Sequence, residues 1–284
     1  MSKILIQCVV VLYKCSLDGS STLQALAEFF RQQGGLAQQI ALLIYDNSED
    51  PQSAVLERWN CGSVEYHHAE KNTGLAAAYN YALSMARSGG IEWLLLLDHD
   101  TEPHLALFSG LFAAVTSQLS SEVCAIVPKL IQEGKTLSPQ FVGQLRNHDC
   151  PSEFSGISQR QITALNSAAC LRTEALVAIG GFPSEYWLDF LDHIVFHRLQ
   201  AAGGRIVILD VTVEHSLSLL KMETEMGLDR YANVLAAEWR FVRDTGSGGG
   251  PTIHRLRLLR RLLTQTIRLR NKSYASLTLR ALFD

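Results

Sequence analysis

The sequence predicts an α/β fold built on a mostly parallel central sheet. Within the first hundred residues, apolar runs alternate with segments of helical spacing, which favours parallel strands joined by helical crossovers. The apolar runs are continuous, as in strands that helices cover on both faces. The chain has 284 residues, 47% hydrophobic and 19% charged, so its composition is that of a globular protein with a sizeable core.

The elements of this first part follow one another at short intervals. Apolar runs at 4–12, 40–45 and 64–68 predict the first three strands. Apolar residues with helical spacing predict helices over 21–33 and 75–87, and a Gly-Gly pair ends the first of them.

A fourth run, from Ile91 to Leu97, is the one around which this part of the chain is organised. It ends in Asp98 and Asp100, with one residue between the two carboxylates. Ligands of open α/β sheets bind at the carboxyl ends of strands, and acids at i and i+2 of an extended chain point to one side. Such an oxygen pair suits Mg²⁺ or Mn²⁺ holding a diphosphate. The alternative is that both acids only begin a turn and cap the next helix.

Other polar side chains follow the neighbouring strands. Tyr13, Asp46 and Asn72 come after the first, second and third strand, so they would gather with Asp98 and Asp100 at one edge of the sheet. An aromatic ring, a lone carboxylate, a helix start and an acid pair suit a nucleotide, with its phosphates near the cation. Taken alone, Asp46 and the two residues after it are more typical of a turn.

The second half of the chain contains a second group of acids. Asp189 and Asp192 follow Trp187 near the predicted start of a helix, where the helix dipole favours an ionised carboxylate that can act as a base. Helix capping explains one acid but not both together with Trp187. A later strand, 205–213, is followed by His215, which is either a metal ligand or a structural residue.

The remaining segments of the body are less regular. A helix is predicted from 105 to 115 and a strand from 123 to 128. Residues 132–165 are polar and rich in Gly, Ser, Pro and Gln, which is typical of a lid or insertion on the substrate side.

The composition argues against several classes of protein. No uninterrupted apolar segment reaches about 18 residues, so we expect neither a transmembrane span nor a signal peptide. The six cysteines are scattered without a Cys-x-x-Cys pair, which disfavours a zinc site or a disulfide framework and favours the reducing cytosol.

The tail differs in charge from the rest of the chain. Residues 251–284 contain eight Lys or Arg and one acid, about +7 in a chain of net charge −3, which leaves about −10 on residues 1–250. We expect a domain over 1–245, a flexible joint at 246–250 and a basic amphipathic helical tail beyond it.

The apolar stripe of the tail has helical spacing, with basic residues mostly around it. The stripe consists of Ile253, Leu256, Leu259, Leu263 and Ile267. Such a helix binds an anionic membrane surface or packs on the body or on a second subunit, and both interpretations stay open. Nucleic-acid binding is not expected, because the body is acidic and no recognition motif occurs.

In this order and spacing, the motifs resemble those of the family 2 glycosyltransferases of GT-A fold, and within them the bacterial rhamnosyltransferase-like branch. The resemblance extends over about residues 4–240. It rests on Asp46-Asn-Ser48, Asn72-Thr-Gly-Leu-Ala-Ala-Ala-Tyr-Asn80, Leu97-Asp-His-Asp-Thr101, Gly180-Gly-Phe182 with Trp187-Leu-Asp-Phe-Leu-Asp192, and His215.

The resemblance implies a donor-binding role for each polar residue at the strand ends. Asp46 would contact the nucleobase with Tyr13 beside it, and Asn72 would belong to the nucleotide site. Asp98 and Asp100 would hold the donor ribose and the metal-bound diphosphate.

The resemblance also implies roles on the acceptor side. Asp192 occupies the position of the general base of inverting members. Asp189 is the companion acid that faces the acceptor, beside Trp187. His215 matches the histidine that reaches the metal or the diphosphate.

The expected activity is metal-dependent, inverting sugar transfer, first of all of L-rhamnose from dTDP-rhamnose, onto a lipid-linked or growing cell-surface glycan. Inverting transfer needs one base for the acceptor hydroxyl and charge stabilisation for the leaving nucleoside diphosphate. The expected location is the cytoplasm, peripheral on the inner face of the plasma membrane.

Three alternatives accompany this expectation. The donor is a UDP-hexose, or the chain is a non-catalytic subunit that binds nucleotide sugars. A nucleotidyltransferase is a poorer match, because residues 15–21 are not a Gly-rich, basic phosphate loop. Whether the chain forms a homodimer with a second copy of itself stays open.

Overall fold

The computed structural model of the protein describes residues 3–53, 56–143, 146–214, 226–246 and 249–283. The chain forms two compact units, whose bounds are Met1–Gln140 with Asp149–His215 and Phe141–His148 with Ser216–Asp284.

The secondary structure alternates strands and helices along the first part of the chain. The strands are β1 (Ile6–Leu12), β2 (Ile40–Asp46), β3 (Ser63–His68), β4 (Trp93–Asp98), β5 (Val123–Gln132), β6 (Lys135–Ser138), β7 (Gln140–Phe141), β8 (His148–Asp149), β9 (Gly156–Ile157), β10 (Ile162–Thr163), β11 (Cys170–Arg172) and β12 (Arg205–Glu214). The helices of the first unit are α1 (Ser21–Gln32), α2 (Gly34–Ala37), α3 (Gly74–Ser88), α4 (Leu105–Thr116), α5 (Thr173–Ala178) and α6 (Leu191–Ala201), with a 3₁₀ turn at Leu56–Arg58.

The central sheet of the first unit has the strand order β3-β2-β1-β4-β11-β5-β12-β9. The pairs β3·β2, β2·β1, β1·β4 and β5·β12 are parallel. Every residue of β1 and β2 is buried, and in β4 all but the last residue are, because both faces of the sheet are covered. The predicted α/β architecture with a mostly parallel sheet is therefore confirmed.

The structure departs from the expected elements at three places. The strand β11 lies antiparallel between β4 and β5, in a segment whose strand part is too short for a periodic signal. The helix α1 ends at Gln32, just before the Gly-Gly pair as expected, but Gly34 then begins the short helix α2, which was not predicted. The segment 132–165 contains short strands, of which β6 returns antiparallel along β5.

In the part of the chain that the structure describes, the second unit contains three further helices, α7 (Leu228–Thr245), α8 (Gly250–Arg268) and α9 (Ser273–Ala281). Their core includes Tyr231, Trp239, Leu258 and Tyr274, so α7 is grouped with the tail, whereas the sequence places it in 1–245. No helix within the described ranges combines the length and the apolar character that crossing a membrane requires.

A buried polar network joins the three helices of this unit. The side chain of Gln265 donates to the hydroxyl of Tyr231 at 2.7 Å and accepts from Thr278 at 2.7 Å. The hydroxyls of Tyr231 and Thr278 are 2.6 Å apart, which closes the network. Because each buried polar group has a partner in it, the network fixes how the three helices pack.

His254 of α8 is buried in the same unit, and its ring meets the Trp239 ring edge-on with 4.5 Å between centroids. In the described part of the chain, neither ring nitrogen has a hydrogen-bond partner. Burial lowers the pKa of His254, and the Glu238 carboxylate, 3.6 Å away, does not offset this effect. As pH falls below about 6.5, the unfolded chain therefore binds a proton before the folded chain does, and stability decreases.

The substitution His254→Phe tests this linkage, because it keeps a ring against Trp239 and removes the titrating group. We expect the variant to match the parent near pH 7.5 and to lose less melting temperature on acidification to pH 5.5. Thermal unfolding of both proteins at the two pH values measures the difference. An equal loss in both proteins would mean that His254 does not titrate in this range.

Candidate active site

The carboxyl ends of β1, β2 and β4 meet at one edge of the sheet. In the strand register, Leu12 lies beside Asp46, and Val11 lies beside Asp98. Tyr13 follows β1 directly and is 43% exposed, so its ring is available to a ligand at this edge. The structure therefore brings Tyr13, Asp46 and Asp98 together, as the sequence predicts.

Asp46 is fully buried, and its carboxylate is held by three donors. The Ser48 amide donates to one oxygen at 2.9 Å, while Gln52 and the Tyr66 hydroxyl donate to the other, each at 2.8 Å. Burial alone would raise the pKa of Asp46, but the hydrogen bonds from Ser48, Tyr66 and Gln52 outweigh it and lower the pKa. Asp46 is thus a fixed anion at the strand end.

The turn after β4 is anchored by the start of α1. The Ser20 hydroxyl donates to the His99 carbonyl at 2.7 Å, and the Thr22 hydroxyl donates to the Asp98 carbonyl. The strand ends at Asp98, and the next two residues form a turn. The expected extended-chain geometry of the acid pair is therefore wrong: Asp98 is half-buried at the strand end, and Asp100 is exposed in the turn.

Two of these acids act on the half-buried thiol of Cys15. Burial raises the pKa of Cys15, and the negative charges of Asp100 and then Asp46 raise it further. Because these charges act on the same group, Asp46 and Asp100 lie within electrostatic range of one point at the edge.

Asn72 lies just before α3. Its side-chain oxygen accepts a hydrogen bond from the Gly74 amide at 3.0 Å, and the residue is exposed. Asn47 supports the same turn, because its side-chain oxygen accepts from the Thr73 amide at 3.0 Å. Asn47 thus connects the end of β2 to the start of α3, and Asn72 stabilises the turn before the helix.

The start of α3 is in direct contact with Trp187, in the segment that carries the second group of acids. The Trp187 carbonyl accepts hydrogen bonds from the Leu75 amide at 2.7 Å and the Ala76 amide at 3.3 Å. Gly74 has a φ of +78°, and a Cβ there would lie 2.4 Å from the Trp187 carbonyl oxygen. Only glycine permits this approach.

Asn80, at the far end of the same motif, forms a second connection to this region. Its side chain donates to the Phe182 carbonyl at 2.7 Å and accepts from the Phe182 amide at 2.9 Å. Gly181 leaves room for this pair, because a Cβ there would lie 2.6 Å from the Asn80 side-chain oxygen. The motif 72–80 thus holds the segment 181–187 at both of its ends.

Asp192 lies in the first turn of α6, which begins at Leu191, and Asp189 precedes the helix. Between them, Phe190 adopts a left-handed backbone with φ of +63°, which is unusual for a bulky residue. Both acids are half-buried, and the positive end of the helix dipole stabilises negative charge at Asp192. Trp187 is 41% exposed beside them.

Tyr79 links the two groups of acids. It is fully buried in α3, and in the described part of the chain its hydroxyl has no hydrogen-bond partner. Burial raises the pKa of Tyr79 far above its usual value, and the charges of Asp98 and Asp192 raise it further. The acid at the end of β4 and the acid of α6 therefore both act electrostatically on one buried phenol.

The donor set at the edge has the chemistry that a divalent cation requires. Mg²⁺ in proteins commonly takes one or two carboxylates and completes its shell with water and phosphate oxygens, which Asp98 and Asp100 would suit. Within the described ranges, no cluster of three or more His, Cys, Asp or Glu side chains could hold a metal by itself. His215, the third expected ligand, lies outside the described residues.

Ser167 and Tyr79 are among the residues of the site that were not predicted from the sequence. The Ser167 hydroxyl donates to the Asp98 carboxylate, and Tyr79 lies near Asp98 and Asp192. The pair Asn166-Ser167 before an apolar run was the available signal for the first contact. Tyr79 carried none, because it reads as one more apolar residue of an Ala-rich helix.

The fold is that of an α/β protein with a polar edge at the carboxyl ends of its parallel strands, where open α/β sheets bind their ligands. Residues 8–159, more than half of the chain, match the sequence profile of glycosyl transferase family 2, and the chain belongs to this family. No protein with a curated description matches the sequence.

Solved structures share the fold at low sequence identity. Mannosyltransferase PcManGT from Pyrobaculum calidifontis, in complex with GDP-Man and Mn²⁺, is 14% identical with a TM-score of 0.55 over 99% of this chain and 74% of that one. S. aureus TarS is 16% identical with a TM-score of 0.54 over 82% of this chain. The match spans only 39% of the TarS chain. The predicted GT-A fold with a C-terminal helical region is confirmed.

Gly74→Ala tests the contact between α3 and Trp187. The substitution destabilises the protein in two ways. Alanine is strained in a left-handed backbone, by about 1–2 kcal/mol, and its Cβ displaces the Trp187 carbonyl. We expect the free energy of unfolding to fall by about 3 kcal/mol or more, measured by denaturant titration.

Gly180→Ala is the matched control, because Gly180 also has a positive φ, +84°, but a Cβ there would meet no atom within 4 Å. The free energy of unfolding of this variant should therefore fall only by the cost of the left-handed backbone, about 1–2 kcal/mol. Equal losses in the two variants would show that the close approach to Trp187 contributes nothing.

Proposed function

We propose that this chain is an inverting, metal-dependent glycosyltransferase that takes its sugar from a nucleoside diphosphate donor. The observation that carries the proposal is the position of Tyr79. The charges of Asp98, on the donor edge, and of Asp192, the acid with the position of a base, both raise the pKa of its buried phenol. The donor-side acid and the proposed base thus both lie within electrostatic range of one buried phenol.

For the donor we propose dTDP-rhamnose, with a UDP-hexose as the alternative. Membership of the family supports a nucleotide-sugar donor. The neighbouring structures include TarS 1-349 in complex with UDP and the mannosyltransferase in complex with GDP-Man, so the fold accepts more than one base. The sugar itself is a proposal that rests on the rhamnosyltransferase-like motifs.

We propose that the base of the donor replaces the Gln52 side chain at Asp46. The Gln52 amide donates to Asp46 at 2.8 Å and to the Cys15 carbonyl at 3.1 Å, and its oxygen accepts from the Leu17 amide at 2.8 Å. The N–H and C=O of a thymine or uracil ring offer the same kinds of hydrogen bond. Tyr13, exposed at the same edge, would then cover the ring.

Asp192 is the proposed general base. As the nucleophilic hydroxyl of the acceptor approaches the anomeric carbon, the Asp192 carboxylate takes its proton, and the bond to the diphosphate breaks on the opposite face. Asp98 and Asp100 would hold the divalent cation, Mg²⁺ or Mn²⁺, which supplies charge neutralisation for the leaving diphosphate. Asp189 and Trp187 would orient the acceptor. We propose that the acceptor is a lipid-linked or growing glycan of the cell surface, and that the transfer takes place in the cytoplasm.

Asp192→Asn tests the base. We expect sugar transfer to fall by about 10²–10⁴-fold, because an amide does not accept the proton. The affinity for nucleoside diphosphate should stay unchanged, because Asp192 does not bind the donor in this proposal. Transfer is measured as nucleoside diphosphate released from the donor in the presence of acceptor.

Glu174→Gln is the control for Asp192→Asn, since Glu174 is also an acid in the first turn of a helix but is exposed on α5. It should transfer sugar at the parent rate. Near-normal transfer by Asp192→Asn would assign the base elsewhere.

Calorimetric titration with dTDP, UDP and GDP, with and without Mn²⁺, tests the donor site. We expect one nucleotide to bind about tenfold or more tightly with the metal, and Asp100→Ala to remove the metal dependence. Tight binding of dTDP selects rhamnose, and tight binding of UDP selects a hexose.

Gln52→Ala separates the proposed exchange at Asp46 from a structural role of Gln52. If the base replaces Gln52, the variant should bind the nucleotide at least as tightly as the parent. Weaker binding would mean that Gln52 itself holds the nucleotide. Binding of none of the three nucleotides by the parent chain would contradict the transferase proposal and favour a non-catalytic role.

A further inference from the structure

The helix α8 presents its apolar row to solvent. Its packed side is formed by His254, Leu258 and Gln265, which are buried. The apolar row on the opposite side, here called the leucine face, consists of Leu256, Leu259, Leu263 and Ile267, which are 57%, 45%, 59% and 81% exposed. At 3.6 residues per turn, these four residues form one continuous stripe along the helix.

This arrangement is the reverse of a surface helix whose leucines stabilise the protein core. An amphipathic helix of a globular protein turns its apolar stripe inward, because burial of apolar area drives packing. A contiguous exposed apolar patch is typical of an interaction site. We therefore expect the leucine face to bind a partner outside the unit that contains α8.

The charges beside the leucine face indicate what kind of partner it binds. Arg255, Arg260 and Arg268 are exposed on the same helix, whereas Arg261 is turned toward Glu238, 2.8 Å away. The sequence contains no Asp or Glu from 246 to 283. The helix that carries the leucine face is thus basic.

We propose that the leucine face docks on an anionic lipid bilayer. The helix would lie in the plane of the interface, with its four apolar side chains at the boundary between headgroups and acyl chains. Its exposed arginines would reach the phosphate groups of the lipids, each strengthening the partition by about fivefold. This docking does not depend on the proposed sugar transfer.

A second copy of the chain fits the leucine face less well. In a two-fold symmetric dimer the same patch meets itself, so Arg260 and Arg268 of one copy would approach the arginines of the other. The patch has no acid to balance them. An anionic surface removes this repulsion, and the same charges then favour binding.

Co-sedimentation of the full chain with vesicles tests the proposal. We expect binding to vesicles of phosphatidylcholine with 30% phosphatidylglycerol, and at least tenfold weaker binding to phosphatidylcholine alone. Binding should also weaken when salt rises from 0.1 to 0.5 M, because the charges are exposed. Absence of binding to the anionic vesicles at low salt would overturn the proposal.

Two double variants separate the apolar and the basic contribution. Leu263→Gln with Ile267→Gln, and Arg260→Gln with Arg268→Gln, should each weaken binding to the anionic vesicles by about tenfold or more. All four side chains are exposed, so the helix should keep its packing, which circular dichroism and the melting temperature check. Leu105→Gln and Arg87→Gln are the matched controls, at exposed positions of the other unit, and should bind like the parent.

Two results would point to another partner and overturn the proposal. Unchanged vesicle binding by the leucine variant would show that the arginines act alone, as they would on any polyanion, including nucleic acid. A concentration-dependent dimer in analytical ultracentrifugation that the leucine variant abolishes, without vesicle binding, would assign the leucine face to a second copy.

Discussion

The contact between the Trp187 carbonyl and the first turn of α3 is the constraint on which the candidate site depends. The first amides of a helix have no acceptor within the helix, so the carbonyl satisfies two of them at once. The approach requires the absence of a side chain at Gly74. Because Asn80 fixes Phe182 one and a half turns further along the same helix, the chain between these contacts has little freedom. Asp192 lies only a few residues after Trp187, so these contacts also restrict the position of Asp192.

The acids of the donor edge are oriented by neutral groups. Ser167 donates to Asp98, and Ser48, Gln52 and Tyr66 donate to Asp46. Hydrogen bonds from hydroxyl and amide groups fix the direction of a carboxylate and favour its ionised form, but they do not cancel its charge. The edge therefore keeps its negative charge while its geometry is set before any ligand binds.

The sequence predicts the part of the structure that local patterns encode. Continuous apolar runs located the strands β1, β2 and β4, and the polar residues at their ends located the donor edge, because parallel strands end on the same side. The insertion of β11 was not predictable, since it depends on pairing with strands distant in the chain. The hydrogen bond from Ser167 to Asp98 and the electrostatic coupling of Tyr79 to Asp98 and Asp192 likewise involve residues distant in the chain, and neither Ser167 nor Tyr79 differs locally from an ordinary loop or helix residue.

The charge of the donor edge bears on how a nucleotide sugar can bind there. A diphosphate is itself an anion, and it would approach Asp98 and Asp100, with Asp46 within electrostatic range of the same place. Like charges at such distances repel strongly where water is partly excluded. Lys14, whose ammonium lies over the Tyr13 ring at 5.2 Å, is a positive charge at this edge, and it faces the negative charges of Asp46, Asp98 and Asp100. A divalent cation between the acids and the phosphates reverses the sign of the interaction, and this balance of charge is the physical reason for proposing that the transfer depends on a metal.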